Sequence, residues 1–263
     1  MVERRSAIRA ALVWDALFPV LQARHEAVTS AHDNRDKRPL EVVDLGGGTG
    51  GLAVRIAELG PDVVQVLVVD PSPDALASLE RRAAEADVAD AVRGVLGDAA
   101  TLLDLVTAGT VDVVVCHEVL EVVDVPAQAV EAAAAVLAPG GVLSLVAAQR
   151  SAAVFARAVA GHVTDARTLL TDPDGRWGST DPMPRRFTRD ELTGLLEDAG
   201  LTVAEVRGVR VFTDHLSSAN VEPERSGHGD GTAEELHMLE AEVATHPDFL
   251  AIATQLHLLA TKR

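Results

Sequence analysis

The sequence predicts an α/β fold: an open sheet, parallel through its first five strands, that ends in a hairpin-like pair with one antiparallel strand. Three observations predict it. Short apolar runs alternate with helical stretches from residue 40 onward. A glycine cluster, EVVDLGGGTGG (Glu41 to Gly51), follows the first run, where sheets of this kind bind ligands. Two late strand-like runs separated by a polar insertion complete the pattern.

Residues 6–30 read as one amphipathic helix, with Ile8, Leu12, Val13, Leu17 and Leu21 at helical spacing and Pro19 where it would kink. The polar string HDNRDKRP reads as a linker. LEVVDL is then a buried strand, GLAVRIAEL a helix, VVQVLVVD a strand and PDALASLERRAAEA a helix. AVRGVLGD and VDVVVCHE are strands, PAQAVEAAAAVLA is a helix, and GGVLSLVAA is a fifth strand preceded by LAPGG. Residues 148–187, rich in Pro, Gly, Asp and Arg, interrupt the sheet and are expected to cover the site. TRDELTGLLEDAG is a helix with a capping box, Thr188 to Glu191, and a glycine stop. LTVAEVRGVRVF and IATQLHLLATK are the last strands, flanking a polar, helix-containing insertion at 213–248.

The 263 residues, 48% apolar, suffice for a substantial core. The expected organisation is a single domain over 1–263: a helical cap and linker at 1–38, a ligand-binding core at 39–147, and substrate-side insertions at 148–187 and 213–248. No apolar run approaches the roughly 20 residues of a membrane span, so no membrane association is expected. The N-terminal AALVWDALFPVL is broken by Asp15 and reads as helix, not as a signal peptide. The single cysteine, Cys116, excludes an internal disulfide and suits a reducing, cytoplasmic setting. Nine histidines show no metal-ligand spacing, so no metal is expected. A formal charge of −17 opposes general attraction to nucleic acid. Charges are screened beyond about 8 Å, however, so a local basic patch can still act. Residues 150–190 are the least acidic stretch, with seven arginines against five aspartates.

The glycine loop by itself fits two cofactors. Gly46, Gly48 and Gly51 spell the dinucleotide pattern G-x-G-x-x-G. Gly46, Gly48 and Gly50 with Asp44 spell D-x-G-x-G-x-G, which suits S-adenosylmethionine. Asp70, about twenty residues on, suits a ribose diol in either case, and Asp98 in LGDAA suits an adenine amine. Asp44 separates the two. A carboxylate beside a pyrophosphate is repelled, whereas S-adenosylmethionine carries an ammonium and a sulfonium and no phosphate. The same reasoning disfavours ATP, and the P-loop Lys and Ser/Thr are missing.

DLGGGTG, VVDPS, LGDAA, CHEVLEVV and VLAPGGVLSLV together resemble the class I, Rossmann-like methyltransferases over about residues 40–212. The resemblance implies S-adenosyl-L-methionine as cofactor and a seven-stranded sheet in the order 3-2-1-4-5-7-6 with strand seven antiparallel. SAIRAALVWDALFPVL, HEVLEVV, GVRVFTDHL and QLHLLATKR extend the similarity, over nearly the whole chain, to the bacterial tRNA carboxymethoxyuridine carboxyl-methyltransferases. That similarity implies cofactor contacts from Arg9, Gly46, Gly47, Asp70 and His117.

The candidate cofactor residues are Arg9, Asp44, Gly46, Gly47, Gly48, Asp70, Pro71, Asp98, Ala99 and His117. Several have plainer readings. Asp44 and Asp70 could cap the following helices, Asp98 could close an ordinary turn, and Arg9 could be a solvated helix arginine. Cys116 reads as core, and Glu118 and Glu121 read as surface or capping carboxylates. Arg150, Trp177 and Arg185 are candidates for the acceptor, beside Arg176 and Arg186. The chemistry is displacement at a sulfonium methyl, which needs alignment more than a catalytic dyad. His117 is the one candidate base, required for a phenol or amine acceptor but not for a carboxylate. The acceptors to be separated are tRNA and a small anionic molecule. A third reading is a cofactor-binding protein without turnover.

Overall fold

The computed structural model describes residues 2–30, 38–214, 216 and 231–263. Residues 32–37 of the linker HDNRDKRP and residues 217–230 of the late insertion lie outside the described residues, as does His215 of the GVRVFTDHL motif.

Seven strands form one sheet: β1 (Leu40–Leu45), β2 (Val64–Asp70), β3 (Val92–Leu96), β4 (Val111–His117), β5 (Leu137–Ala148), β6 (Leu201–Val209) and β7 (Gln255–Lys262). Their order is β3-β2-β1-β4-β5-β7-β6, with β7 antiparallel, as the resemblance implies. β1 and β4 are buried along nearly their whole lengths and do not alternate. Strands covered on both faces read as continuous apolar runs. The parallel register aligns Asp44 with Val68 and Val115, and Leu45 with Val69 and Cys116. Asp44, Asp70 and His117 therefore stand at the carboxyl ends of three neighbouring strands.

Ten helices occur among the described residues: α1 (Val2–Ser30), α2 (Gly51–Ala57), α3 (Pro73–Glu85), α4 (Leu102–Leu105), α5 (Pro126–Val136), α6 (Arg150–Val159), α7 (Val163–Thr171), α8 (Arg189–Asp198), α9 (Gly231–Val243) and α10 (Pro247–Leu250). α1 runs unbroken through Pro19 and buries Ile8, Leu12, Val13, Leu17 and Leu21 at the expected spacing. Ser72 caps α3, its Oγ accepting the Ala75 N–H at 3.2 Å. The capping box of α8 is reciprocal: Glu191 Oε2 accepts the Thr188 N–H at 2.7 Å and Thr188 Oγ1 accepts the Glu191 N–H at 3.2 Å.

Three expectations change. β5 begins at Leu137, so LAPG belongs to the strand. Val111 aligns with Leu137 but Val113 with Val142, an irregularity that accommodates Pro139, which has no N–H to donate. Residues 148–187 hold two helices, α6 and α7, which bury Ala152, Ala166 and Leu169. The strand begun at Leu201 stops at Val209, short of the expected Phe212.

The described residues fall into two compact units, one drawn from Met1–Ala16, Ala147–Leu192 and Val206–His257, the other from Leu17–Val146, Thr193–Glu205 and Leu258–Arg263. In the first, Val211, Val243 and Ala253 form a core against Phe212, Phe249 and Ile252. Beside that core lies Glu240, a fully buried carboxylate of α9. It accepts the N–H groups of Val211, Phe212 and Thr213 and the Thr213 hydroxyl at 2.6–3.0 Å. Those bonds satisfy the backbone where β6 ends, which is why the strand goes no further. In the second unit Leu45, Val68, Val115 and Leu143 are buried on the sheet. Lys262 Nζ donates to the carbonyls of Ala134, Ala135 and Leu137 at 2.8, 3.3 and 2.7 Å, closing the C-terminus of α5.

Candidate active site

In the second unit a cavity of about 540 Å³ opens at the carboxyl ends of the strands. Leu45, Gly46, Asp70, Pro71, Asp98 and Ala99 line it, with Glu118, Val119, Val122 and Val125 from the turn after β4. A larger cavity of about 630 Å³, lined by Arg38, Glu41, Gln65 and Arg93, lies at the amino ends of the same strands. Open α/β sheets hold ligands at the carboxyl ends, and of the candidate cofactor residues Gly46, Asp70, Pro71, Asp98 and Ala99 line the smaller cavity and none lines the larger.

The glycine loop is built for close approach. Gly46 has φ of +69° and donates its N–H to the Val69 carbonyl at 2.7 Å. A Cβ there would lie 2.5 Å from Val119 Cγ2. At Gly47 a Cβ would lie 2.5 Å from Asp44 Oδ2, so the loop backbone rests directly on that carboxylate. Gly48 donates its N–H to Asp70 Oδ2 at 2.8 Å, and Ser72 donates to Asp70 Oδ1 at 2.9 Å. Asp70 thus ties the loop to the end of β2 and the start of α3.

Asp44 is 4% exposed. Burial, and then the charge of Asp70, push its carboxyl up to about 7. Burial, and then Glu121 and Asp44, push the Cys116 thiol well above its usual range. Cys116 is core, as expected. Glu121 is not a surface carboxylate: it is 3% exposed and its charge reaches Cys116. The turn that begins at Glu118 folds it inward. Glu118 takes φ of +60° and donates its N–H to the Val146 carbonyl at 2.8 Å.

His117 ends β4, with Nε2 2.8 Å from Oγ of Ser144, a fully buried residue of β5. Asp98 is exposed and closes a turn: its Oδ1 accepts from the N–H groups of Ala100 and Thr101 and from Thr101 Oγ1, each at 3.0 Å. Val122 and Val125 were not singled out in the sequence. Their signal is apolar exposure at a cavity mouth, 67% and 46%.

The remaining candidates lie in the first unit. Arg9 donates from Nε to Gln255 Oε1 at 3.0 Å. His257 is fully buried, and burial, then Arg207 and Arg9, lower its imidazole to about 3. Arg150 pairs with Glu191 at 3.1 Å and donates to the Pro173 carbonyl at 2.9 Å. Arg185 pairs with Asp174 at 3.0 Å. Arg186 grips buried Asp181 at two points, 2.7 and 3.0 Å, while Asp181 also accepts the N–H groups of Trp177 and Met183. The Trp177 ring carries the Arg157 guanidinium at 3.5 Å and that of Arg186 at 4.5 Å. With Arg157 paired to Asp165, four of the seven arginines in this stretch are paired with a carboxylate.

The chain is similar to several known proteins. The sequence profile of the methyltransferase domain family matches residues 20–206. The tRNA 5-carboxymethoxyuridine methyltransferase of Escherichia coli O157:H7 is 28% identical over 98% of this chain and 89% of its own length. The ubiquinone biosynthesis O-methyltransferase of Methylobacterium nodulans is 37% identical over 68% of each chain. Among solved structures, the [4+2]-cyclase SpnF superposes with a TM-score of 0.55 at 19% identity, covering 90% of this chain and 79% of that one. The geranyl diphosphate C-methyltransferase from Streptomyces coelicolor A3(2) superposes at 0.52 and 16% identity, covering 92% and 77%. At such identities these structures share the fold alone. The chain belongs to the methyltransferase domain family and is an S-adenosylmethionine-dependent methyltransferase.

Proposed function

We propose that the protein methylates a carboxylate, and that the acceptor is the modified wobble uridine of tRNA. The observation that carries this reading is coverage. The relative named for tRNA 5-carboxymethoxyuridine aligns with 98% of the chain. A second reading, a small-molecule O-methyltransferase, draws on the 37% identity to a ubiquinone biosynthesis enzyme, which spans 68% of the chain. The many internally paired arginines also favour it, because phosphate contacts dominate RNA affinity and need cations that are not already engaged. The family assignment retires the reading as a binding protein without turnover.

The residues fit S-adenosylmethionine. A Cβ at Gly46 or Gly47 would collide with Val119 or Asp44, and Gly48 takes a positive φ, so the loop presents bare backbone. Asp44 and Asp70 supply buried negative charge for a ligand that carries positive charge, and Asp70 keeps lone pairs for a ribose hydroxyl. Pro71, Ala99 and the valines after β4 give apolar walls for the adenosine, with Asp98 at the amine. Arg9 is assigned to the methionine carboxylate, a group its planar fork suits, and His117 to the cofactor as well. The cofactor supplies an electrophilic methyl and a neutral leaving group. The chain's part is to hold acceptor and methyl in line, which is worth roughly 7–11 kcal/mol of barrier. An ionised carboxylate needs no base, and His117 already shares Nε2 with Ser144. Arg150, Trp177 and Arg185 remain the proposed acceptor contacts, through whatever faces their internal partners leave.

Two experiments test the reading. Arg9→Ala should weaken cofactor binding several-fold without unfolding, since a charged hydrogen bond is worth about 1.5–3 kcal/mol; an unchanged affinity would remove Arg9 from the site. Labelled methyl transfer should then be followed to total tRNA from cells lacking the enzyme, in parallel with a low-molecular-weight extract. Label confined to small molecules, with vacant modified tRNA present, would reject the tRNA acceptor and leave the methyltransferase standing.

A further inference from the structure

The floor of the glycine loop carries an unusual charge arrangement. Asp44 is 4% exposed and Asp70 is 7% exposed, both in the same unit. Asp70 has two backbone donors, the N–H groups of Gly48 and Ser72. Asp44, held against the Gly47 backbone, has none among the described residues. The other titratable neighbours are acidic as well. Cys116 faces it from β4, and Glu121 reaches Cys116 from the following turn. Two buried carboxyls at the ends of neighbouring strands, the charge of one reaching the other and one of them without a donor, do not both carry charge at low cost. A cation brought to the loop removes that cost.

We propose that the loop binds its cationic ligand with release of one proton, and that Asp44 is the group that gives it up. The inference rests on S-adenosylmethionine as cofactor and deepens that reading. In the ligand-free protein the Asp44 carboxyl holds its proton on the acid side of neutrality, in keeping with the upward push from burial and Asp70. The positive charge of the ligand favours the carboxylate, and the O–H proton passes to the buffer. No bond to the ligand forms or breaks. Below the titration point affinity then falls about tenfold for each pH unit, and above it the dependence vanishes.

The probe is S-adenosylhomocysteine, whose α-amino group stays charged over pH 5.5–7.0. Calorimetric titration at pH 6.0 in two buffers of different ionisation enthalpy counts the protons released. The expected result is close to one proton at pH 6.0, with the dissociation constant falling about tenfold per unit as pH rises from 5.5 toward 7. His117 is the competing source, because a protonated imidazole near a cation would also lose its proton. His117→Gln should therefore keep the proton release, and Asp44→Asn should abolish it and flatten the profile. If Asp44→Asn does not fold, retention in His117→Gln together with the wild-type count still decides for Asp44 over His117. An affinity flat with pH and no proton exchange overturns the inference, as does release that survives in Asp44→Asn. Failure of the probe to bind at any pH instead defeats the cofactor reading and the inference with it.

Discussion

His257 on β7 makes the fold sensitive to acid in a calculable way. Its side chain is fully buried, and burial, then the charges of Arg207 and Arg9, lower the imidazole to about 3. In the unfolded chain a histidine titrates near about 6.5. Between those values the unfolded chain binds a proton that the folded protein does not. Stability is therefore intact above about pH 6.5 and declines as pH falls toward 3, by about 1.4 kcal/mol per unit and up to about 5 kcal/mol in all. Whole domains are stable by about 5–15 kcal/mol, so this one ring can remove a third or more of the total. The perturbation is His257→Gln, which cannot take the proton. Urea midpoints at pH 7.0, 5.5 and 4.5 provide the assay. At pH 7.0 the variant should be the weaker protein, through lost packing. That gap should shrink by about 1.4 kcal/mol per unit below 6.5, and so by nearly 3 kcal/mol at pH 4.5. A gap unchanged from pH 7.0 to 4.5 would show that His257 is not held neutral and would refute the reasoning.

Asp44 acts in the opposite direction. Its folded carboxyl is raised to about 7, against about 3.9 unfolded, so ligand-free stability should fall as pH rises from 4 to 7, by up to about 4 kcal/mol. Asp44→Asn should gain on the wild type between pH 5 and pH 8; an equal difference at both would count against the raised carboxyl. Arg186→Met leaves Asp181 buried without its partner and should cost about 3–5 kcal/mol, partly recovered by adding Asp181→Asn. A loss under about 1 kcal/mol on melting would mean that the pair is idle. Glu240→Gln keeps an oxygen for three of its donors but turns an amide toward the Val211 N–H, and should cost about 1–3 kcal/mol in urea. Wild-type stability in that variant would dissolve the latch between α9 and the end of β6.

Much of the frame was legible because it is written in local terms. β1, β2 and β4 are short runs dominated by Val and Leu, and the box joins Thr188 to Glu191, three positions on. The glycine loop and Asp70 could be found because a parallel sheet sets its ligand residues at strand ends. What escaped was decided by distant partners. Composition hid α6 and α7, since Pro, Gly and Asp at 172–184 masked helical spacing just upstream. Glu121 looks like a surface acid until the turn at Glu118 folds it inward. Ser144 lies 27 residues from His117, and Glu240 lies 27–29 residues from the amides it accepts. A buried polar group is predictable only once its partner is known.

The position of β7 bears on how the protein is made. β7 is the last strand in chain order but lies inside the sheet, between β5 and β6. During vectorial synthesis β6 leaves the ribosome with no neighbour to bond, and it waits while more than forty further residues are added. A nascent chain halted before Gln255 leaves one edge of β5 and both edges of β6 unpaired, and such edges are templates for aggregation. Lys262 ends β7 and emerges with it, and its ammonium closes three carbonyls at the end of α5. Sheet completion and the capping of α5 therefore both wait on β7, so a chain cut just before Gln255 should lose solubility before it loses catalysis.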